Sequence, residues 1–252
     1  MESTYFRRGF GLKGAIEGQR AADYHSAIVD TLRSAGNQLV AGHLTFRLAQ
    51  EFGFCYGVDR AVDYAYETRA KFPDRRLFLV GEIIHNPHVN ANLGQMGITF
   101  LRRESPSGDD GRVTTPEFDF SGITVDDVVI LPAFGVTLRD FERLRAIGCI
   151  VVDTTCGSVL NVWKRVESYA RDGFTSVIHG KHYHEETRAT ASQVKRHPGG
   201  KYLTVYNMTE ARLVCDHIEH GGSTDSLVTA LGHAASDGFD FDRDLVRIGV
   251  AN

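Results

Sequence analysis

Short apolar runs alternate with segments of helical spacing along most of this chain, and that alternation predicts parallel α/β units. Residues 44–48 (Leu-Thr-Phe-Arg-Leu) alternate as a strand does, 53–57 form a glycine-rich turn, and 58–71 read as a helix that ends before Pro73. Residues 77–84 read as a buried strand, Asn86-Pro87 as a turn and 89–96 as a short helix. The rhythm repeats with a strand at 127–131, a helix at 137–146 and a strand at 149–153. The helix predicted over 158–171 places Val159, Val162, Trp163, Val166 and Tyr169 on one side. A strand at 176–179, a polar helix from near His184, a strand at 202–206, a helix at 209–218 and a strand at 245–250 complete the pattern. Ahead of it, residues 17–34 read as one helix stopped by Gly36-Asn37. The segments 104–122 and 221–225, rich in Ser, Gly and Asp, read as surface loops.

These boundaries imply an N-terminal extension over 1–43, a first α/β domain over 44–153 and a second over 154–252. The second ends on a predicted strand that no helix follows, as the last strand of a fold or a truncated chain would. The 252 residues suffice for one large domain or two of ordinary size. With 42% apolar and 24% charged residues the chain is globular, and no apolar run approaches the roughly 20 residues of a membrane helix. A net charge of −4 argues against a general nucleic-acid binder. The opening residues lack an apolar signal core, so the expected location is a reducing cytoplasm.

Four scattered cysteines make neither a disulfide framework nor a CxxC pair. Cys55 and Cys156 occupy equivalent places: each is expected after a strand and just before a helix. Ligands gather at that carboxyl edge of an α/β sheet, and the helix N-terminus favours a thiolate there. Filling a turn is the plainer role for either thiol alone; the repetition favours function. Cys149, in a strand, and Cys215, on a helix, are expected to pack. His85 follows the strand of 77–84, and 179–187 (His-Gly-Lys-His-Tyr-His-Glu-Glu-Thr) follows that of 176–179. Three histidines and two glutamates in the latter could hold a metal or an anion or act as acid and base, without matching a zinc spacing; His182 could simply be exposed. His184 with Glu186 at a helix start suits a phosphate held by imidazole and amide N–H groups.

Taken in order, Gly53-Phe54-Cys55-Tyr56-Gly57-Val58-Asp59-Arg60, Glu82-Ile83-Ile84-His85-Asn86, Asp153-Thr154-Thr155-Cys156 and the 179–187 segment resemble the 4-hydroxy-3-methylbut-2-enyl diphosphate reductase family. Tyr5-Phe6-Arg7-Arg8-Gly9-Phe10-Gly11 and Leu131-Pro132-Ala133-Phe134-Gly135 resemble its plant and cyanobacterial branch. The resemblance implies repeated small α/β domains around a central 4Fe–4S cluster held by three cysteines, one per domain. Cys55 and Cys156 would be two of them, His85 and His184 would hold the substrate diphosphate, and Glu186 would lie in the proton path. It implies reductive removal of a hydroxyl from an allylic diphosphate, with ferredoxin or flavodoxin as electron donor. It also implies that the third cysteine and third domain lie beyond Asn252, making this chain a fragment whose two thiolates could not hold the cluster as the whole family does. Gly157 stands where many relatives have proline, and Phe134 where the bacterial branch has histidine. Two other readings follow from the same residues: a non-catalytic diphosphate-binding module that has lost the cluster, and a thiol hydrolase using Cys55 with His85 or His184.

Overall fold

The computed structural model describes residues 4–104 and 117–252. In chain order its elements are β1 (Tyr5–Phe6), α1 (Lys13–Tyr24), α2 (Ala27–Ser34), β2 (Gln38–Ala41), β3 (Leu44–Arg47), α3 (Tyr56–Lys71), β4 (Leu77–Val80), α4 (Pro87–Gln95), β5 (Ile98–Leu101), β6 (Arg103–Glu104), β7 (Glu117–Phe118), β8 (Val128–Leu131), α5 (Leu138–Ile147) and β9 (Ile150–Asp153). They continue with α6 (Gly157–Arg171), β10 (Thr175–His179), α7 (Glu185–Gln193), β11 (Tyr202–Val205), α8 (Met208–His220), α9 (Asp225–Leu231), α10 (Phe241–Asp244) and β12 (Ile248–Ala251).

Two parallel sheets organise the chain. The first runs β1-β9-β8-β4-β5 and the second β11-β10-β12, with every neighbour parallel. The central strands of the first are apolar at nearly every position because both faces are covered. Leu77, Leu79, Val128, Ile130 and Val152 face a core with Ala61, Val62, Ala65 and Tyr66 of α3. Val80, Val129, Leu131 and Val151 face the opposite core with Leu144, Phe118 and Phe120. The second sheet is likewise covered twice. Leu203, Val205, Leu227, Leu231 and Phe241 form one core; Val166, Ala170, Ile178, Ala191 and Ala251 form the other.

Several expectations change. The helix read over 17–34 is two helices, because Ser26 leaves helical geometry and its hydroxyl caps Val29 N–H at 3.4 Å. Residues 44–47 do form a strand, but it pairs antiparallel with β2 in an exposed hairpin. Cys55 therefore does not follow a parallel strand. Of the surface loop read over 104–122, residues 105–116 lie outside the described residues, whereas Phe118 and Phe120 beyond them are buried core. Cys149 packs at 2% exposure, as expected, but Cys215 is exposed. Residues 5–6, within the segment read as an extension, form the edge strand beside β9.

Candidate functional site

The segments that leave β4, β8 and β9 run side by side. Ala133 N–H donates to the Ile83 carbonyl at 3.1 Å, and Cys156 N–H donates to the Ala133 carbonyl at 2.9 Å. His85, Phe134 and Cys156 thus share the carboxyl edge of the first sheet, where an open α/β sheet offers its backbone groups to a ligand. Buried Ile83 and Ile84 anchor the segment before His85. Asn86 fixes the one after it, its side chain accepting from the N–H groups of His88 and Val89 as Pro87 opens α4.

His184 comes from the second unit, at the N-cap of α7, and its Nδ1 accepts the Glu186 N–H at 3.3 Å. The two imidazoles meet across the seam. His85 Nε2 lies 3.1 Å from His184 Nε2, and the rings cross at 76° with centroids 5.1 Å apart. Phe134 stacks on His85 at 4.7 Å and meets His184 edge-on at 5.9 Å. On its far side, His85 Nδ1 sits 3.0 Å from a Glu82 carboxylate oxygen.

The seam is held by further contacts. Trp163 of α6 lies over Gly135 so closely that a β-carbon there would fall inside 3.0 Å of its ring, and its indole N–H donates to Thr190 Oγ1 at 3.1 Å. Leu138 N–H donates to Ser192 Oγ at 3.0 Å. Glu185 pairs with Arg103 at 3.7 Å while its carboxylate rests over Gly81, whose φ of +71° suits glycine.

Both candidate thiols are helix N-caps. Cys156 opens α6, its sulfur accepting the Ser158 N–H at 3.4 Å, and Cys55 opens α3. The Cys156 sulfur rests on Gly57, two residues after Cys55, where a β-carbon would fall inside 3.0 Å of it. That sulfur therefore lies on the first turn of the helix that Cys55 caps. Glycine at 57 is what admits it.

Two hollows flank the imidazole pair. One, of about 480 Å³, is lined by Glu82, His85, Asn90, Arg103 and Glu185. The other, of about 390 Å³, is lined by His179, Lys181, His184, Glu186, Thr187 and Tyr206. Neither is lined by Cys55 or Cys156, so the five candidate residues do not surround one of these cavities. Lys181 holds its ammonium over the Tyr206 ring at 5.4 Å. His182 is exposed, yet partial desolvation and then the neighbouring His233, with ring centroids 4.5 Å apart, push its pKa down. Sequence reasoning counted Glu185 among possible ligands or acid–base groups without its partner Arg103, and gave Glu82 and Gly57 no role. Glu82 stands three residues before His85, a spacing that could have suggested the pair; the other two act through contacts far along the chain.

The residues present supply two thiols at adjoining helix starts, a donor type that suits iron–sulfur ligation. Among the described residues no group of three or more His, Cys, Asp or Glu side chains gathers as a metal site. Cys55 and Cys156 are the two thiols so placed among the described residues.

Two parallel sheets covered by helices, with an imidazole pair where the two units meet, define an α/β protein. The LytB protein family matches residues 46–230, and the chain belongs to that family. It is 49% identical over 249 residues to the 4-hydroxy-3-methylbut-2-enyl diphosphate reductase of Gloeobacter violaceus, covering 99% of this chain and 57% of that protein. It is 46% identical to the enzyme of the same name from Thermosynechococcus vestitus, covering 99% and 58% respectively. The chain thus spans little more than half the length of these curated relatives. The fold is shared with a solved structure of (E)-4-hydroxy-3-methyl-but-2-enyl diphosphate reductase, at a TM-score of 0.53 and 24% identity over 81% of this chain and 66% of that one. It is shared too with the Plasmodium falciparum reductase structure, at a TM-score of 0.52 and 22% identity over 64% and 44%. Among the described residues no helix is long and apolar enough to cross a membrane.

Proposed function

We propose that this chain carries the diphosphate-binding imidazoles and two cluster thiolates of a 4-hydroxy-3-methylbut-2-enyl diphosphate reductase. The observation that carries the reading is the His85–His184 contact of 3.1 Å, made by two imidazoles from different units at the start of a helix. Diphosphate is recognised by fixed N–H donors in a site of reduced water access. The first-turn amides of α7 not taken by the His184 cap supply donors, the His184 Nε2–H joins them where a ligand displaces His85 from it, and the Phe134 ring shields one face of His85. Lys181, lining the hollow of His184 and Glu186, adds positive charge.

Cys55 and Cys156 would hold a 4Fe–4S cluster together with a ligand from outside this chain. Such a cluster, when bound, supplies electrons singly and Lewis acidity to reductive loss of a hydroxyl group. Glu186 holds a proton for the departing hydroxyl oxygen, so that two electrons and two protons convert substrate to water and isopentenyl or dimethylallyl diphosphate. Ferredoxin or flavodoxin would donate the electrons, and free thiols such as Cys55 and Cys215 suit a reducing cytoplasm. The two-thiol donor set keeps a second reading in play for this chain: a diphosphate-binding module without redox chemistry.

Two measurements test these readings. Calorimetric titration with inorganic pyrophosphate should show binding that His184→Ala abolishes. The chain, joined to the remaining residues of a relative and reconstituted anaerobically with iron and sulfide, should gain the broad visible absorption of an iron–sulfur cluster. Cys55→Ser or Cys156→Ser should remove it. Pyrophosphate binding without absorption selects the binding module, and failure of both overturns both readings.

A further inference from the structure

The hydrogen bonds around the imidazole pair have one consistent direction. His184 Nδ1 accepts from the Glu186 backbone, so a neutral His184 carries its proton on Nε2. That proton points at His85 Nε2, 3.1 Å away, which must then be a lone pair. His85 therefore carries its own proton on Nδ1, where the Glu82 carboxylate accepts it at 3.0 Å. The chain of donors starts at a backbone amide of α7 and ends on Glu82.

We infer that Glu82 is the positioning residue of this site: it holds His85 in the Nδ1–H tautomer and turns its Nε2 toward His184. The other groups that face His85 do not fill this role. Phe134 contributes only a ring face, His184 already donates to Nε2, and Arg103 and Glu185, which line the hollow beside it, pair with each other at 3.7 Å. Without an acceptor at Nδ1, an imidazole in water favours its proton on Nε2. Two Nε2–H groups would then face each other and the pair would part. Glu82 lines the hollow beside His85 but not the one lined by Lys181, His184 and Glu186. Its functional weight rests on the diphosphate reading above; its structural role does not.

Long-range proton–nitrogen spectra of the histidine-labelled chain at mildly alkaline pH test this directly. The wild-type protein should show His85 protonated on Nδ1 and His184 on Nε2. Glu82→Gln keeps an acceptor oxygen and should keep that pattern. Glu82→Leu should move the His85 proton to Nε2 and part the two imidazoles, with loss of the His85–His184 contact in the same spectra. A Glu82→Leu spectrum still showing Nδ1–H on His85, or a wild-type spectrum showing Nε2–H, overturns the inference. If the tautomers behave as stated but pyrophosphate binds to no variant, Glu82 keeps its positioning role and the diphosphate reading fails.

Discussion

Gly57 is where the two thiol-bearing segments touch, and replacing it by alanine gives a signed energetic test. Alanine is favoured over glycine within a helix by up to about 1 kcal/mol, and less in the first turn. Against that gain stands the Cys156 side chain: the new β-carbon would fall inside 3.0 Å of its sulfur and 3.2 Å from its Cβ. Overpacking of this kind costs about 1–3 kcal/mol. The sulfur is half-buried and also holds the Ser158 N–H, so its retreat loses a weak cap as well. Gly57→Ala should therefore destabilise by about 1–2 kcal/mol, read as a lower urea midpoint at unchanged slope. It should also raise the alkylation rate of Cys156. Cys156→Ala removes the obstruction, so the double variant should recover most of the loss, with a coupling energy of about 1 kcal/mol or more. An unchanged or raised midpoint in Gly57→Ala, with additive behaviour in the double variant, would refute the contact.

Three further outcomes follow from other parts of the structure. Gly135→Ala, at a φ of +74° and beneath Trp163, should destabilise by about 2–4 kcal/mol; the fluorescence of Trp163, the sole tryptophan, should shift to the red as the ring is displaced, and an unshifted spectrum contradicts the packing. Asp127 is 2% exposed: burial alone would raise its pKa, but the bidentate Arg76 pair at 2.6 and 2.8 Å and the Thr124 N–H hold it below the ordinary carboxylate range. Its contribution is then full above about pH 4 and lost as pH falls through the depressed value; Asp127→Asn should cost roughly 1–3 kcal/mol at neutral pH and flatten the acid limb, and a parallel acid limb counts against the pair. Burial pushes the Cys149 thiol up to about 11, so iodoacetamide near neutral pH should modify Cys55 and Cys215 long before Cys149; equal rates would contradict its placement.

The buried strands were legible because parallel strands covered on both faces read as plain apolar runs, as in Val128–Leu131. The β2–β3 hairpin was not, because the alternation of residues 44–47 is the same whether a strand enters a sheet or stands apart; the partner is not in the period. Ser26 is a good N-cap, yet the alanine-rich pattern around it hid the break between α1 and α2. Cys215 adjoins buried Val214 on α8, and a rotation of one residue turns it to solvent. His85 and His184 were each recognisable as chemistry after a strand. Their mutual contact, across 99 residues of chain, was not, because it depends on how the two units pack. Glu82 followed only once that contact was seen.

A thiol-bridging experiment puts the arrangement of the two cysteines to its most direct test. The reduced chain, treated with a short bifunctional alkylating reagent and digested for mass spectrometry, should yield a Cys55–Cys156 bridge in preference to any bridge through exposed Cys215. Separate modification of Cys55 and Cys156, with no bridge between them, would contradict their meeting at the start of α3.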